Sequence, residues 1–126
     1  MIELTEKPVD PATIYNRISR NDAGSVVIHF GVVKPVVKGK PTRGIQFSPD
    51  GDLEGEIRAL EAEVRKKWDV KDALFIRRMG QLHIGDIILV AAVSASDRES
   101  AFGACRDAVE RFKKLKCVYK KELFVE

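Results

Sequence analysis

Leu53, Ile57, Leu60 and Val64 recur at i, i+4, i+7 and i+11, the apolar stripe of an amphipathic helix over about Asp52–Trp68. Acidic Asp52, Glu54 and Glu56 crowd its start and Arg65, Lys66 and Lys67 its end, as the helix dipole favours. A second long helix is predicted over Arg98–Leu115, with Phe102, Cys105, Val109 and Phe112 on its apolar face. A shorter one opens at Asp10-Pro11, with Asp as N-cap, Ile14 and Ile18 as its stripe, and Asn21-Asp22-Ala23-Gly24 as its end. Between the helices lie strand patterns. Ile2–Leu4 is a short edge strand. Ser25–Val33 is rich in β-branched residues and reads as buried on both faces. Ile45–Ser48, Ala73–Met79, Ile87–Ser94 and Val118–Val125 follow. Lys34–Gly44 is predicted as a loop or loose hairpin, and Gly80–Asp86 as a connection with a glycine at either end. The order β-α-β-β-α-β-β-α-β mixes hairpins with helices and predicts an α+β fold. The expectation is a single domain over 1–126, one mixed, largely antiparallel sheet with helices packed on it.

Composition narrows the class. The chain has 126 residues, 44% hydrophobic and 33% charged, which is globular rather than disordered. No apolar run is long enough to span a bilayer. The start, Met1-Ile2-Glu3-Leu4-Thr5-Glu6, lacks a basic segment followed by an apolar one. The expectation is a cytoplasmic protein without membrane contact. Cys105 and Cys117 are the two cysteines. They form neither a zinc spacing nor a disulfide framework, so no metal is expected. The net charge of +3 is too mild to argue for nucleic acid. Lys, Arg and Glu outnumber Asn and Gln, a bias found in proteins from hot sources.

Two motifs stand out. The first is Gly80-x-Leu82-x-x-Gly85-Asp86, then an apolar strand, then Ser94-x-x-Asp97-Arg98-x-x-x-Ala101-Phe102. Asp97 is placed to cap the long helix. Arg98 is a cation at a helix N-terminus, where the dipole disfavours it. It is either solvated on the surface or shares an anionic ligand with the helix-end amides. The second is Phe112-Lys113-Lys114-Leu115-Lys116, then Tyr119-Lys120-Lys121-Glu122. Lysines at a helix C-terminus are ordinary dipole partners. Strand alternation puts Lys120 and Glu122 on one face and Lys121 on the other. A partly buried lysine beside other cations can serve in proton transfer or nucleophilic chemistry. Gly39-Lys40 is not a phosphate-binding P-loop, since the first glycine is missing and Pro41 replaces Ser or Thr. Lys34–Arg43 is therefore a solvated loop or one that orders over a ligand. His29 reads as packed, and His83 as exposed.

These motifs together resemble the large, catalytic subunit of molybdopterin synthase, and the resemblance extends back through Gly24–Lys34. It implies the α/β hammerhead fold of that family. It implies an enzyme, a sulfurtransferase of molybdenum cofactor biosynthesis. The reaction adds two dithiolene sulfurs to cyclic pyranopterin monophosphate to give molybdopterin. Sulfur comes as a thiocarboxylate on the C-terminal Gly-Gly tail of a small ubiquitin-like subunit, in a heterotetramer built on a homodimer of the large one. The resemblance carries the catalytic lysines onto Lys113 and Lys120, and substrate binding onto Lys34, Arg98, Asp97 and Lys114, with no cofactor.

The chain departs from the pattern at several of these places. Asp97-Arg98 stands where the family has His-Arg, which removes a proton carrier and adds a carboxylate. Lys34 replaces an Arg and so loses its bidentate fork. Phe47-Ser48 replaces Tyr-Glu, and Tyr119 a Trp. Cys117 stands where the family has a small residue or proline, and reads as a packed small hydrophobe. The 126 residues stop at Glu126, so the expectation is a pocket built without the further segment that the family uses there. Two other readings compete. One is a catalytically altered paralogue that keeps the dimer and the ubiquitin-like partner. The other is a small basic nucleic-acid-binding domain, which would need exposed aromatics among its cations.

Overall fold

The computed structural model of the chain describes residues 1–125. Its elements are β1 (Ile2–Thr5), a 3-10 turn at Pro11–Thr13 running into α1 (Ile14–Arg17), β2 (Ser25–Val32), β3 (Val36–Val37), β4 (Lys40–Pro49), α2 (Leu53–Lys67), β5 (Val70–Arg78), β6 (Gly80–His83), β7 (Ile87–Ala95), α3 (Arg98–Phe112) and β8 (Val118–Phe124). No helix among the described residues is long and apolar enough to cross a membrane.

The strands divide between two sheets rather than forming one. The first has the order β1-β5-β7-β2. Its β1–β5 pair is parallel and its other pairs antiparallel. The second is built around β4, which pairs with β6 along one edge and β8 along the other, and with β3 at its start. The α+β class and the mostly antiparallel pairing agree with the sequence.

Alternation along β5 and β7 gives the first sheet two apolar faces. Ala73, Phe75, Ala91 and Val93 pack with α2, α3 and the Phe47 side of the second sheet. Leu74, Ile76, Val90 and Ala92 pack with Ile14 and Ile18. Phe75 meets Phe112 edge to face at 6.0 Å. The helices approach each other closely at Gly103. A Cβ there would stand 2.3 Å from the Trp68 ring, whose Nε1 donates to Asp107 at 3.0 Å.

Several local expectations change. β2 is an edge strand paired only with β7, so its residues from Ser25 to Gly31 are half-buried and Val32 is exposed. Its β-branched run marks a pleated surface, not a doubly covered one. Lys34–Gly44 holds a hairpin. Lys38 and Gly39 both take positive φ, 52° and 77°, the two-residue turn that matches strand twist. The strand leaving it is far longer than Ile45–Ser48, and Gly80–Asp86 contains β6. The first helix is a short 3-10 and α segment. Asp10 caps it as expected, but Arg20 donates to the Tyr15 and Ile18 carbonyls at 2.6 and 2.9 Å, closing the helix end early. On α3 the buried face is Ala101, Ala104, Cys105, Ala108 and Phe112. Phe102 is 60% exposed. Small residues, not the large ones, set this helix against the sheet.

Candidate active site

A cavity of about 700 Å³ opens between the two sheets and the C-terminal end of α3. Lys34, Lys113 and Lys120 all line it, although they lie on three different parts of the chain.

Each is held by its own local structure. Lys113 is the C-cap of α3, and its N–H donates to the Val109 carbonyl. Its side chain is 67% exposed, 3.5 Å from Glu110. Lys120 sits on β8 opposite Phe47 of β4, and Glu122 opposite Ile45. Val118, Lys120 and Glu122 thus present one face of β8 to the cavity. The connection from α3 to β8 is clamped by Glu56 of α2. Its carboxylate accepts the N–H groups of Lys116 and Cys117 at 2.7 and 2.9 Å. Burial works to raise the pKa of Glu56, but these two donors outweigh it and hold the carboxyl below its ordinary value. Lys34 leaves β2 just after Val33, whose N–H donates to Asp86 O and whose carbonyl accepts from Gly85.

Other expected residues lie elsewhere within the chain. Asp97 is the N-cap of α3. Its carboxylate accepts the Ser100 N–H at 2.8 Å, which holds its pKa down. Asp97 and Arg98 do not line the cavity. The 15 residues of α3 put them roughly 22 Å from Lys113 along the helix axis. Lys114, one position past Lys113, turns to a shallow groove with Glu56, Glu63 and Arg111. His29 is half-buried on β2, and His83 is exposed. Cys117 is half-buried outside the cavity. Burial and then the Glu56 carboxylate push its thiol pKa up, in keeping with a packing role. Among the described residues no group of three His, Cys, Asp or Glu gathers as a metal site would require.

Lys38, Arg77 and Glu122 also line the cavity, and Arg77 was not among the residues singled out from the sequence. The guanidinium of Arg77 lies 4.2 Å over the Phe47 ring, and its Nη1 donates to the Arg78 carbonyl at 2.7 Å. The residue is 7% exposed. Burial lowers its pKa to about 10, so it stays charged at neutral pH. The signal for it was present. Alternation through Ala73, Phe75 and Arg77 puts an arginine on the core-facing side of β5.

The cavity therefore presents five cations and one carboxylate over apolar walls that include Ile45, Phe47, Leu89 and Phe112. Such a site suits a ligand carrying negative charge.

The sequence model of the MoaE protein family matches residues 4–115. The chain is 29% identical to a molybdopterin synthase catalytic subunit of Bacillus subtilis, over 97% of this chain and 78% of that one. It is 30% identical to the one of Thermoplasma volcanium, over 97% and 90%. Its structure resembles that of molybdopterin synthase from Staphylococcus aureus, with a TM-score of 0.89 and 26% identity over 98% of this chain and 91% of that one. A chain in a Helicobacter pylori complex of subunits 1 and 2 of molybdopterin-converting factor shares the fold at TM-score 0.77 and 14% identity, over 99% and 90%. A charged cavity at the end of α3 and a fold shared along nearly its whole length thus meet in one conclusion: the chain belongs to the MoaE family of molybdopterin synthase catalytic subunits.

Proposed function

We propose that the chain is the catalytic subunit of a molybdopterin synthase, and that the cavity is where sulfur is transferred. The observation that carries this is the convergence of Lys34, Lys113 and Lys120 on one cavity. The sulfur donor is the thiocarboxylate on the Gly-Gly tail of a small ubiquitin-like partner. The acceptor is cyclic pyranopterin monophosphate. Adding sulfur to the pterin side chain needs proton transfers and stabilisation of developing negative charge. Lys113 and Lys120 face the same space and supply both. Lys34 supplies a fixed cation for the phosphate.

Arg98, Asp97 and Lys114 take part, on this reading, only where a second copy or the partner brings them to a cavity. The working assembly is a cytoplasmic heterotetramer, each 1–126 chain acting as one domain in a homodimer. Asp97 is a helix cap in this chain, so its replacement of a histidine does not place a carboxylate among the lysines of its own cavity.

Incubation with the thiocarboxylated small subunit and the pyranopterin phosphate tests the proposal. Dithiolene product is expected, and Lys120→Ala should abolish it while leaving the thermal melt unchanged. Unaltered turnover in that variant rejects the assignment of Lys120. Partner binding without product in the unmodified chain favours the altered paralogue. Salt-sensitive oligonucleotide binding in place of both would favour a nucleic-acid role.

A further inference from the structure

Arg77 differs from the other cations of the cavity. Lys34, Lys113 and Lys120 are exposed, whereas Arg77 is more than nine-tenths buried. Arginine does not give up its proton to relieve burial. A buried charge is normally matched by a carboxylate, because leaving it unmatched is costly. No carboxylate of the described residues lies within ion-pair distance of Arg77. The neighbouring Arg78 does have one, with Asp86 at 3.2 Å. Glu122, the carboxylate that lines the cavity, lies 3.4 Å from Thr42 Oγ1 instead.

The donors of Arg77 are only partly used. Nη1 donates to the Arg78 carbonyl, and the ring of Phe47 covers one face of the guanidinium, which offsets part of the burial cost. Nε and Nη2 have no partner among the described residues, yet the fully enclosed side-chain nitrogen left without one is Arg78 Nε. The free edge of Arg77 therefore retains accessible surface. The residue itself lines the cavity. A guanidinium seated over an aromatic ring with one edge free is prepared for two coplanar oxygens.

We propose that Arg77 is an anion-binding residue at the buried wall of the cavity, taking two oxygens of a small oxyanion through its free edge. This rests on the reading of the cavity as the sulfur-transfer site. Two sources supply that chemistry: the phosphate of the pterin substrate, and the terminal carboxylate group of the carrier tail. The lysines attract the anion from the cavity mouth, and Arg77 fixes its orientation.

The test is binding to the full chain by calorimetry, with inorganic phosphate in one arm and a peptide ending in Gly-Gly carboxylate in the other. Arg77→Met should weaken one probe by about tenfold or more, the loss expected for a desolvated charge-assisted pair. Arg77→Lys should bind between the two. It retains charge but not the fork, and it carries the test if the Met variant fails to melt cooperatively. Lys66→Gln, which removes a positive charge from the end of α2, should bind both probes as the unmodified chain does. Loss confined to phosphate assigns the site to the substrate phosphate, and loss confined to the peptide assigns it to the carrier tail. Unchanged binding of both probes in a folded Arg77→Lys chain overturns the proposal. Failure of Lys120→Ala to affect turnover would sink the sulfur-transfer reading and leave these binding results standing.

Discussion

Replacing Glu56 by Ala removes the clamp that ties the α3–β8 connection to α2. Two backbone donors, Lys116 N–H at 2.7 Å and Cys117 N–H at 2.9 Å, lose a charged acceptor. Hydrogen bonds to charged groups are worth about 1.5–3 kcal/mol each. Glu56 is only half-buried and water competes for both donors, so the expected total is about 2 kcal/mol. At an ordinary dependence on denaturant this lowers the urea midpoint by about 1 M. Glu56→Gln keeps one acceptor oxygen without the charge and should lose about half as much. The effect depends on pH with a definite sign. The folded carboxyl titrates below the ordinary value of 4.5. Its contribution is complete above that value and is lost as pH falls through the folded one. The gap between the unmodified chain and the Ala variant should therefore close in acid. If Lys113 and Lys120 act as proposed, turnover should fall more than stability alone explains, because the connection sets their spacing and small misplacements of reacting groups are costly. Equal urea midpoints at neutral pH, or a gap that widens in acid, would refute the reasoning.

Gly103→Ala should destabilise by about 1–3 kcal/mol, since its Cβ meets the Trp68 ring at 2.3 Å; intrinsic tryptophan fluorescence during unfolding reads both the loss and any shift of the ring. Phe112→Ala removes a side chain that is 5% exposed and packs on Phe75 beside the cavity, so a loss of about 3–5 kcal/mol is expected in chemical denaturation. Cys105 should resist thiol reagents in the folded chain at neutral pH, because burial pushes its pKa up to about 11; labelling as fast as in the unfolded chain would contradict the packing.

The stripe of α2 and its caps were legible because they are local. Periodicity fixed the face, Asp52 caps the Gly55 N–H at 3.0 Å, and the helix ends at Lys67, one residue short of Trp68. That Lys113 ends one helix and Lys120 lies on the strand after it was legible locally, but their meeting in one cavity needs β8 to pair with β4. What periodicity could not supply was non-local. Lys40–Gly44 is rich in charge, proline and glycine, and becomes strand only because β8 and β3 pair with β4. The division into two sheets depends on which strands β4 meets, which no local pattern encodes. Its spacing with Cys105, Val109 and Phe112 puts Phe102 on the apolar face of α3, but the helix lies close to the sheet through Ala101, Ala104 and Ala108, and Phe102 is turned outward. The resemblance puts Lys114 at the substrate site beside Lys113, but a single helical step separates them into different concavities.

The pairing of β8 with β4 runs from Thr42↔Phe124 to Pro49↔Val118, joining segments from opposite halves of the chain. Contacts of such long sequence separation are slow to form, because loop closure costs entropy before the pairing returns anything. Lys113 belongs to a helix that can form locally, whereas Lys120 reaches its place only when β8 finds β4. A chain folded through α3 alone would display one lysine and no cavity wall opposite it. The lysine pair thus reports on completion of the fold, and a partly folded chain, however helical, lacks the cavity that brings the two together.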